Sequence, residues 1–378
     1  MRKTPLKPIE RPGRLGDGRA GDSDSIGTMR EASAPNGHAR ELTPSPRALE
    51  SGAYASGSPI LLHDPLFILA PPRSFTTVVS HMLGQHPQMY GLPEPHLLSA
   101  ETLAEWWNLC SQATFNMNHG LLRVVAGLYF GEQTEYTVKR ASGWLRRRSH
   151  FTTGAILELL AEKLYPRILV EKSPSVVYRL ELLQRMYQLF PQAKFIHLVR
   201  HPRGHGESVM KYLRGRQKLG PVPASHWLLH LASFPYPSAS GGDVAQRPPN
   251  LDPQRAWYVL NMNICEFLKS VKDDQKMRIR GEDLLADPDR GLREIADWMG
   301  LRTDSEAIDE MKHPERSPYA GYGPPGARFG NDRFFLDNPR LRPGRMQSHS
   351  LDGPLSWRKD GEGFLPEVKQ LAQQFGYE

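Results

Sequence analysis

Short apolar runs, each handing over to a stretch of helical periodicity, recur along this chain, and that alternation leaves few folds open. Leu66–Ala70, Arg167–Val170 and Lys194–Val199 have the length and composition of buried parallel strands. After the first, Val78, Val79, Met82 and Leu83 fall on one helical face; after the second, Val176, Val177, Leu180, Leu183, Met186, Tyr187 and Phe190 recur at helical spacing. Gly204–Arg214 reads as a helix after the third. Asp252-Pro253 supplies an N-cap and first-turn proline for a helix through about Val271, Lys276–Arg280 reads as a further strand, and Asp287-Pro288 opens another helix. The pattern predicts an α/β fold, a central parallel sheet with helices on both faces.

Three stretches break the alternation. Residues 1–58 are rich in Gly, Ser, Pro, Arg and Ala without periodicity, which predicts a disordered arm or linker ahead of a domain spanning 59–378. Residues 215–251, with Pro, Gly and Ser clusters, read as a surface insertion. Residues 313–355 are rich in Pro, Gly and Arg, a composition suited to a binding loop.

Composition excludes several classes. Of 378 residues, 39% are hydrophobic, enough for a core, yet no run approaches 18 apolar residues, so no membrane span is expected. The N-terminus has no apolar segment of a secretory signal. Cys110 and Cys265 alone cannot build a disulfide framework or a zinc cage, and a cytoplasmic setting is expected. The formal charge of +7 favours anionic partners, but the basic residues are dispersed, so nucleic acid is not expected as a partner. Oligomeric state is not encoded legibly.

The chemistry concentrates where strands end. In FILAPPRSFTTVVSHML, residues 67–83, the strand stops at two prolines, and Arg73, Ser74, Thr76 and Thr77 precede or open the helix. Such a loop lies at the carboxyl edge of the sheet, where α/β proteins bind ligands, and the helix N-terminus offers free N–H groups to an anion. GxxxxGK[ST] is absent, which disfavours a nucleotide kinase. FIHLVRHPRGHGES, residues 195–208, repeats the arrangement: Arg200 ends the strand and Ser208 lies eight positions on. Two strand-end anion sites suit a ligand with acidic groups at both ends.

These motifs resemble those of sulfotransferases. PPRSFTT is similar to the PxxGTT-type loop that grips the 5′-phosphosulfate of PAPS (3′-phosphoadenosine 5′-phosphosulfate), and the spacing of Arg200 and Ser208 is similar to the family's 3′-phosphate clamp. EKSP at 171–174 resembles a segment of bacterial and protein-tyrosine members. RMQSHSLDGPLSWRKD resembles the loop that closes on the cofactor, with Arg345 and Trp357 as its contacts, within a closing region near 313–358. PEPHLL most resembles a stretch of the sulfotransferase domains of bacterial polyketide synthases. The resemblance implies a P-loop-NTPase-like sheet and transfer of a sulfuryl group from PAPS, the co-substrate, to a hydroxyl. It implies no metal. Phe75 stands where the family often has glycine; a positive φ there would strain it.

On that resemblance Arg73, Ser74, Phe75, Thr76, Thr77, Arg200 and Ser208 bind the donor, and Arg73 and Lys172 supply positive charge at the transferring group. Glu94 and His96 are both candidates for the base; the likeness to tyrosylprotein sulfotransferases favours Glu94, and a histidine can accept a proton at neutral pH. His119 is a more distant candidate. The acceptor is a hydroxyl on a small molecule or on a carrier-bound acyl or polyketide chain. A tyrosylprotein or carbohydrate sulfotransferase, or a non-catalytic nucleotide-binding protein of the same fold, is the alternative. His201 and His205 have i, i+4 metal spacing without a third ligand. KRASGWLRRR, 139–148, suits either an acidic carrier or a solvated helix face, and Glu282 and Asp283 suit capping.

Overall fold

The computed structural model of the chain describes residues 64–113, 116–217, 252–342, 349–358 and 360–378. The 1–58 arm, most of the 215–251 insertion and Arg345 lie outside the described residues.

Five strands form one parallel sheet: β1 (Leu66–Leu69), β2 (Met89–Gly91), β3 (Ile168–Glu171), β4 (Lys194–Val199) and β5 (Lys276–Arg280), in the order β2-β3-β1-β4-β5. Successive side chains of a strand point to opposite faces, and β1 shows the result. Phe67 and Leu69 enter a core with Phe195 and with residues of the helices His119–Phe130 and Thr153–Leu164, whereas Leu66 and Ile68 pack with Val79, Met82 and Ile295 on the other side. Both faces are therefore covered, as continuous apolar strands require.

The expected helices form at Thr76–Leu83, Leu180–Leu189, Pro202–Gln217, Pro253–Leu268 and Pro288–Met299. The side chain of Asp252 accepts from the Gln254 N–H and that of Asp287 from the Arg290 N–H, so both aspartates cap as expected. Strand β2 was not expected; three residues carry too short a pattern. Nor was the connection from β2 to β3, which holds helices at Leu103–Gln112, His119–Phe130, Glu135–Arg146 and Thr153–Leu164. The basic cluster 139–148 lies on and just beyond the third of these, with Lys139, Arg140, Arg146 and Arg147 exposed.

The strand order has a functional result. Lys172 follows β3 directly, Arg200 follows β4 directly, and Arg73 lies just beyond β1, which runs between them. With strands about 4.8 Å apart, three cationic residues issue from the carboxyl ends of three neighbouring strands.

Candidate active site

The turn after β1 is built on left-handed backbone. Arg73 has φ 72° and Phe75, the residue capping the Thr76–Leu83 helix, φ 63°. Each such non-glycine residue costs roughly 1–2 kcal/mol, so packing must hold it. The Phe75 ring covers Gly281, where an added Cβ would lie 2.4 Å from the ring, and the Arg200 guanidinium sits over the ring at 4.1 Å from the centroid. The positive φ expected from the family's glycine is present, and the ring compensates it. Ser74 is fully buried, and its Oγ has no hydrogen-bond partner among the described residues.

Arg73 and Arg200 meet at this turn. One Arg200 nitrogen donates to the Arg73 carbonyl at 2.6 Å, and the Arg200 carbonyl accepts from Trp257 at 2.8 Å. Arg200 Nε is buried with no partner among the described residues. Burial lowers the Arg200 pKa to about 10, with Glu282 opposing and Arg73 adding to the effect, so the group stays cationic. Arg73 pairs with Asp332 at 2.8 Å, and its Nε donates to Ser208 Oγ at 3.4 Å. A cationic pair with an orphaned nitrogen and an orphaned hydroxyl fits an anionic ligand.

The third cation is committed differently. Lys172 is 1% exposed; its Nζ donates to Thr77 Oγ1 at 2.8 Å and pairs with Glu94 Oε1. Burial alone would raise the Glu94 carboxyl, but Lys172 and His96 outweigh it and hold it down to about 2, against an ordinary 4.5. A depressed carboxyl contributes stability that is fully present above its unfolded pKa and is lost as pH falls toward its folded one. The window here runs from about 4.5 down to about 2.

His96, at φ 51°, is held from both sides. Its backbone N–H donates to Ser173 Oγ at 2.9 Å, Ser99 Oγ donates to Ser175 Oγ at 2.7 Å, and Ser175 Oγ lies 2.9 Å from His96 Nδ1. Ser175 thus joins Ser99 to one ring nitrogen of His96; the other, Nε2, points elsewhere. That atom faces Glu94 Oε2 at 3.5 Å. Glu94, His96 and Lys172 thus form one connected group.

A cleft of about 1550 Å³ is lined by Arg73, Thr76, Thr77, Glu94, His96, Arg200 and Ser208, and also by Tyr178, Tyr212 and Asp332. The last three were not anticipated. The Phe334 and Tyr212 rings both lie against Arg73; Phe334 is in the short helix Arg333–Leu336, just after Gly330, whose carbonyl accepts from the Glu94 N–H at 2.8 Å. Trp357 is not among the residues lining this cleft. It packs on Gly206, where an added Cβ would lie 2.3 Å from the indole, and its Nε1 donates to Asp252 at 3.0 Å.

The remaining candidates serve the frame. His119 Nδ1 accepts from the Phe329 N–H at 3.1 Å, and burial drives its pKa down to about 4. His205 bonds the Pro72 carbonyl at 3.0 Å, while His201 Nδ1 accepts from the Arg203 N–H at 3.1 Å. Among the described residues no three His, Cys, Asp or Glu side chains are grouped as metal ligands. Glu282 accepts from the His201 N–H at 2.9 Å and from the Tyr377 hydroxyl at 2.8 Å, and Asp283 pairs with Arg280 at 2.6 Å. No helix of the described residues is long and apolar enough to cross a membrane.

Comparison with known proteins places this arrangement. The sulfotransferase domain of the Synechococcus PCC 7002 olefin synthase is 25% identical, with a TM-score of 0.58, covering 84% of this chain and 96% of that one. The sulfotransferase domain from the curacin biosynthetic pathway is 22% identical, with a TM-score of 0.59, covering 84% of this chain and 98% of that one. The nodulation protein NoeE of Sinorhizobium fredii (strain NBRC 101917 / NGR234) is 30% identical over 142 residues, which is 36% of this chain and only 28% of that protein's length. The sequence profile of the sulfotransferase family matches residues 65–305, well over half of the chain. By sequence and by fold, the chain belongs to the sulfotransferase family.

Proposed function

We propose that the chain transfers the sulfuryl group of PAPS to an acceptor hydroxyl, and that the acceptor is a small molecule or an acyl or polyketide chain on a carrier. One observation carries the reading: three cations issue from neighbouring strand ends, and the most deeply buried, Lys172, is joined to a carboxylate beside a histidine. The unpartnered Ser74 hydroxyl and Arg200 Nε fit the anionic donor. The carrier-bound option draws support from the likeness to the olefin synthase domain.

PAPS supplies an activated sulfuryl group with a phosphate as leaving group. Arg73 and Lys172 hold charge at the bond between them, and the Thr76 and Thr77 loop positions it. Glu94 accepts the acceptor's hydroxyl proton as the new oxygen–sulfur bond forms and the sulfur–oxygen bond to phosphate breaks, the electron pair leaving with PAP. His96 is the weaker candidate for this step, because Ser175 covers Nδ1 and Nε2 is turned to the Glu94 carboxylate. While paired with Lys172, Glu94 is a poor base; a sulfuryl oxygen that attracts Lys172 restores its basicity.

Thermal shift with PAP, against ATP with magnesium, tests the donor. A ligand that binds only the folded state stabilises it by about 2.7 kcal/mol at a hundredfold excess over Kd. PAP is expected to raise the midpoint, and Arg73→Ala and Arg200→Ala each to abolish the rise. A folded protein indifferent to PAP ends the proposal. Phe75→Gly refines it. The change relaxes backbone strain by roughly 1 kcal/mol but takes away the ring under Arg200, so PAP affinity measured by calorimetry is expected to fall; a rise would show that the ring only burdens the turn.

A further inference from the structure

One contact at the donor loop runs against the chemistry assigned to it. Arg73 Nη1 pairs with Asp332 Oδ2 at 2.8 Å, and both side chains are largely enclosed, 15% and 23% exposed. Of the carboxylates that line the cleft, Glu94 is committed to Lys172, and Asp332 is the one paired with an arginine among the described residues. An anion brought to Arg73 therefore meets a carboxylate already seated on the guanidinium, and the two negative groups repel.

Asp332 is no loose arm that swings aside. Its Oδ1 accepts from the Phe334 N–H at 3.3 Å and caps the helix Arg333–Leu336. Before it in the chain, Asn331 donates to the Tyr319 carbonyl at 3.2 Å and the Gly330 carbonyl accepts from the Glu94 N–H. After it, the Phe335 ring stacks on the fully buried His81 ring at 4.7 Å between centroids. Arg73 is held as well, by Ser208 at Nε and by the Phe334 and Tyr212 rings. Carboxylate and arginine thus keep their places, and a second anion has to share the guanidinium with Asp332. Asparagine caps a helix as well as aspartate does, so capping leaves the charge unexplained.

We propose, resting on the PAPS reading above, that Asp332 competes with the 5′-phosphate end of the donor for Arg73 and thereby speeds the release of PAP. In PAPS that end carries one negative charge on the phosphate and one on the sulfuryl group. When the sulfur–oxygen bond breaks, the sulfuryl group takes its charge to the acceptor oxygen and the acceptor's proton passes to Glu94. The electron pair of the broken bond stays on the phosphate, which is left in PAP with close to two charges. Repulsion from Asp332 is therefore larger for the product than for the donor.

Calorimetric titration of the full chain with PAP reads the competition. Asp332→Asn keeps the cap and drops the charge; it is expected to bind PAP about tenfold more tightly than wild type, as for a partly enclosed charge contact. Stopped-flow displacement is expected to show that gain as slower dissociation of PAP. Asp332→Ser, a second uncharged cap, is expected to repeat the gain, and Asp332→Glu, which keeps the charge, to stay within about twofold of wild type. Without PAP both uncharged variants are expected to melt below wild type, because Arg73 and Arg200 then lie together without the charge of Asp332; a firmer fold would therefore not account for tighter binding. Uncharged variants that bind PAP no better than wild type, or a glutamate variant that gains as much as they do, overturn the role of Asp332 and leave the donor reading standing. A folded wild-type protein that does not bind PAP overturns both.

Discussion

With Lys172 replaced by methionine, turnover is expected to fall by about three orders of magnitude, while PAP affinity changes far less than it does in Arg200→Ala. Lys172 is the one cation of the three that is wholly enclosed, and it reaches both the Thr77 hydroxyl of the donor loop and Glu94. On the proposed reading it answers the charge that develops on the leaving phosphate. The substitution also strands Glu94. Removing one member of a buried ion pair costs about 3–5 kcal/mol, so the thermal midpoint is expected to drop, and to drop less at low pH, where the stranded carboxyl is protonated. The double variant Lys172→Met/Glu94→Gln separates the effects: stability is expected to recover, turnover is not. Turnover of Lys172→Met within tenfold of wild type would remove the lysine from the chemistry.

The second large effect belongs to a residue outside the cleft. Arg123 is 2% exposed, and its guanidinium donates to Gln133 at 2.6 Å, to the Phe329 carbonyl at 3.0 Å and to the Pro318 carbonyl at 3.4 Å, with the Tyr319 ring alongside at 5.6 Å. It is the pin that fixes the path of an aperiodic loop across the helix it stands on. Arg123→Met keeps much of the volume but leaves the Phe329 carbonyl and Gln133 Oε1 without this donor, at about 1–3 kcal/mol each for a buried group, while the Pro318 carbonyl keeps the Gln133 amide. Chemical denaturation is expected to show a loss of about 3 kcal/mol overall. Because Gly330 and Asp332 lie just beyond the pin and touch Glu94 and Arg73, the folded fraction is also expected to turn over more slowly. Unchanged stability would mean that other contacts hold the loop.

The parts of this molecule that were legible in the sequence are those governed by local rules. Buried parallel strands must be continuously apolar, so β1, β3 and β4 announce themselves, and helix starts at Asp252-Pro253 and Asp287-Pro288 follow from capping chemistry. Arg73 and Arg200 were found because an anion site at a strand end needs a cation there and hydroxyls on the next helix. The helices between β2 and β3 left a readable mark that went unused: Thr102 and Glu105 form a reciprocal capping box. Asp332 left none. It lies in a segment without periodicity, whose course is set by partners more than a hundred residues away, such as Arg123 on Phe329. Trp357 shows the reverse. Its neighbours resemble a cofactor-closing loop, yet the bare surface of Gly206 receives the indole, and only tertiary contact decides between those destinations.

Within the connection between β2 and β3, the stretch 102–152 begins and ends at one spot. Thr102 and Thr152 pair as an isolated antiparallel bridge, and Thr153 Oγ1 donates to the Ala100 carbonyl at 2.6 Å, so the helices between them leave and rejoin the body side by side. From this excursion Leu109 and Met117 reach the cleft, while Arg73, Lys172, Arg200 and Ser208 are all supplied from elsewhere in the chain. A segment with adjoining ends is one that exchange, lengthening or trimming disturbs least. Change within this excursion is therefore separated along the chain from the strand ends that carry Arg73, Lys172 and Arg200, and it is felt at the cleft chiefly where Arg123 and His119 hold the loop at Phe329.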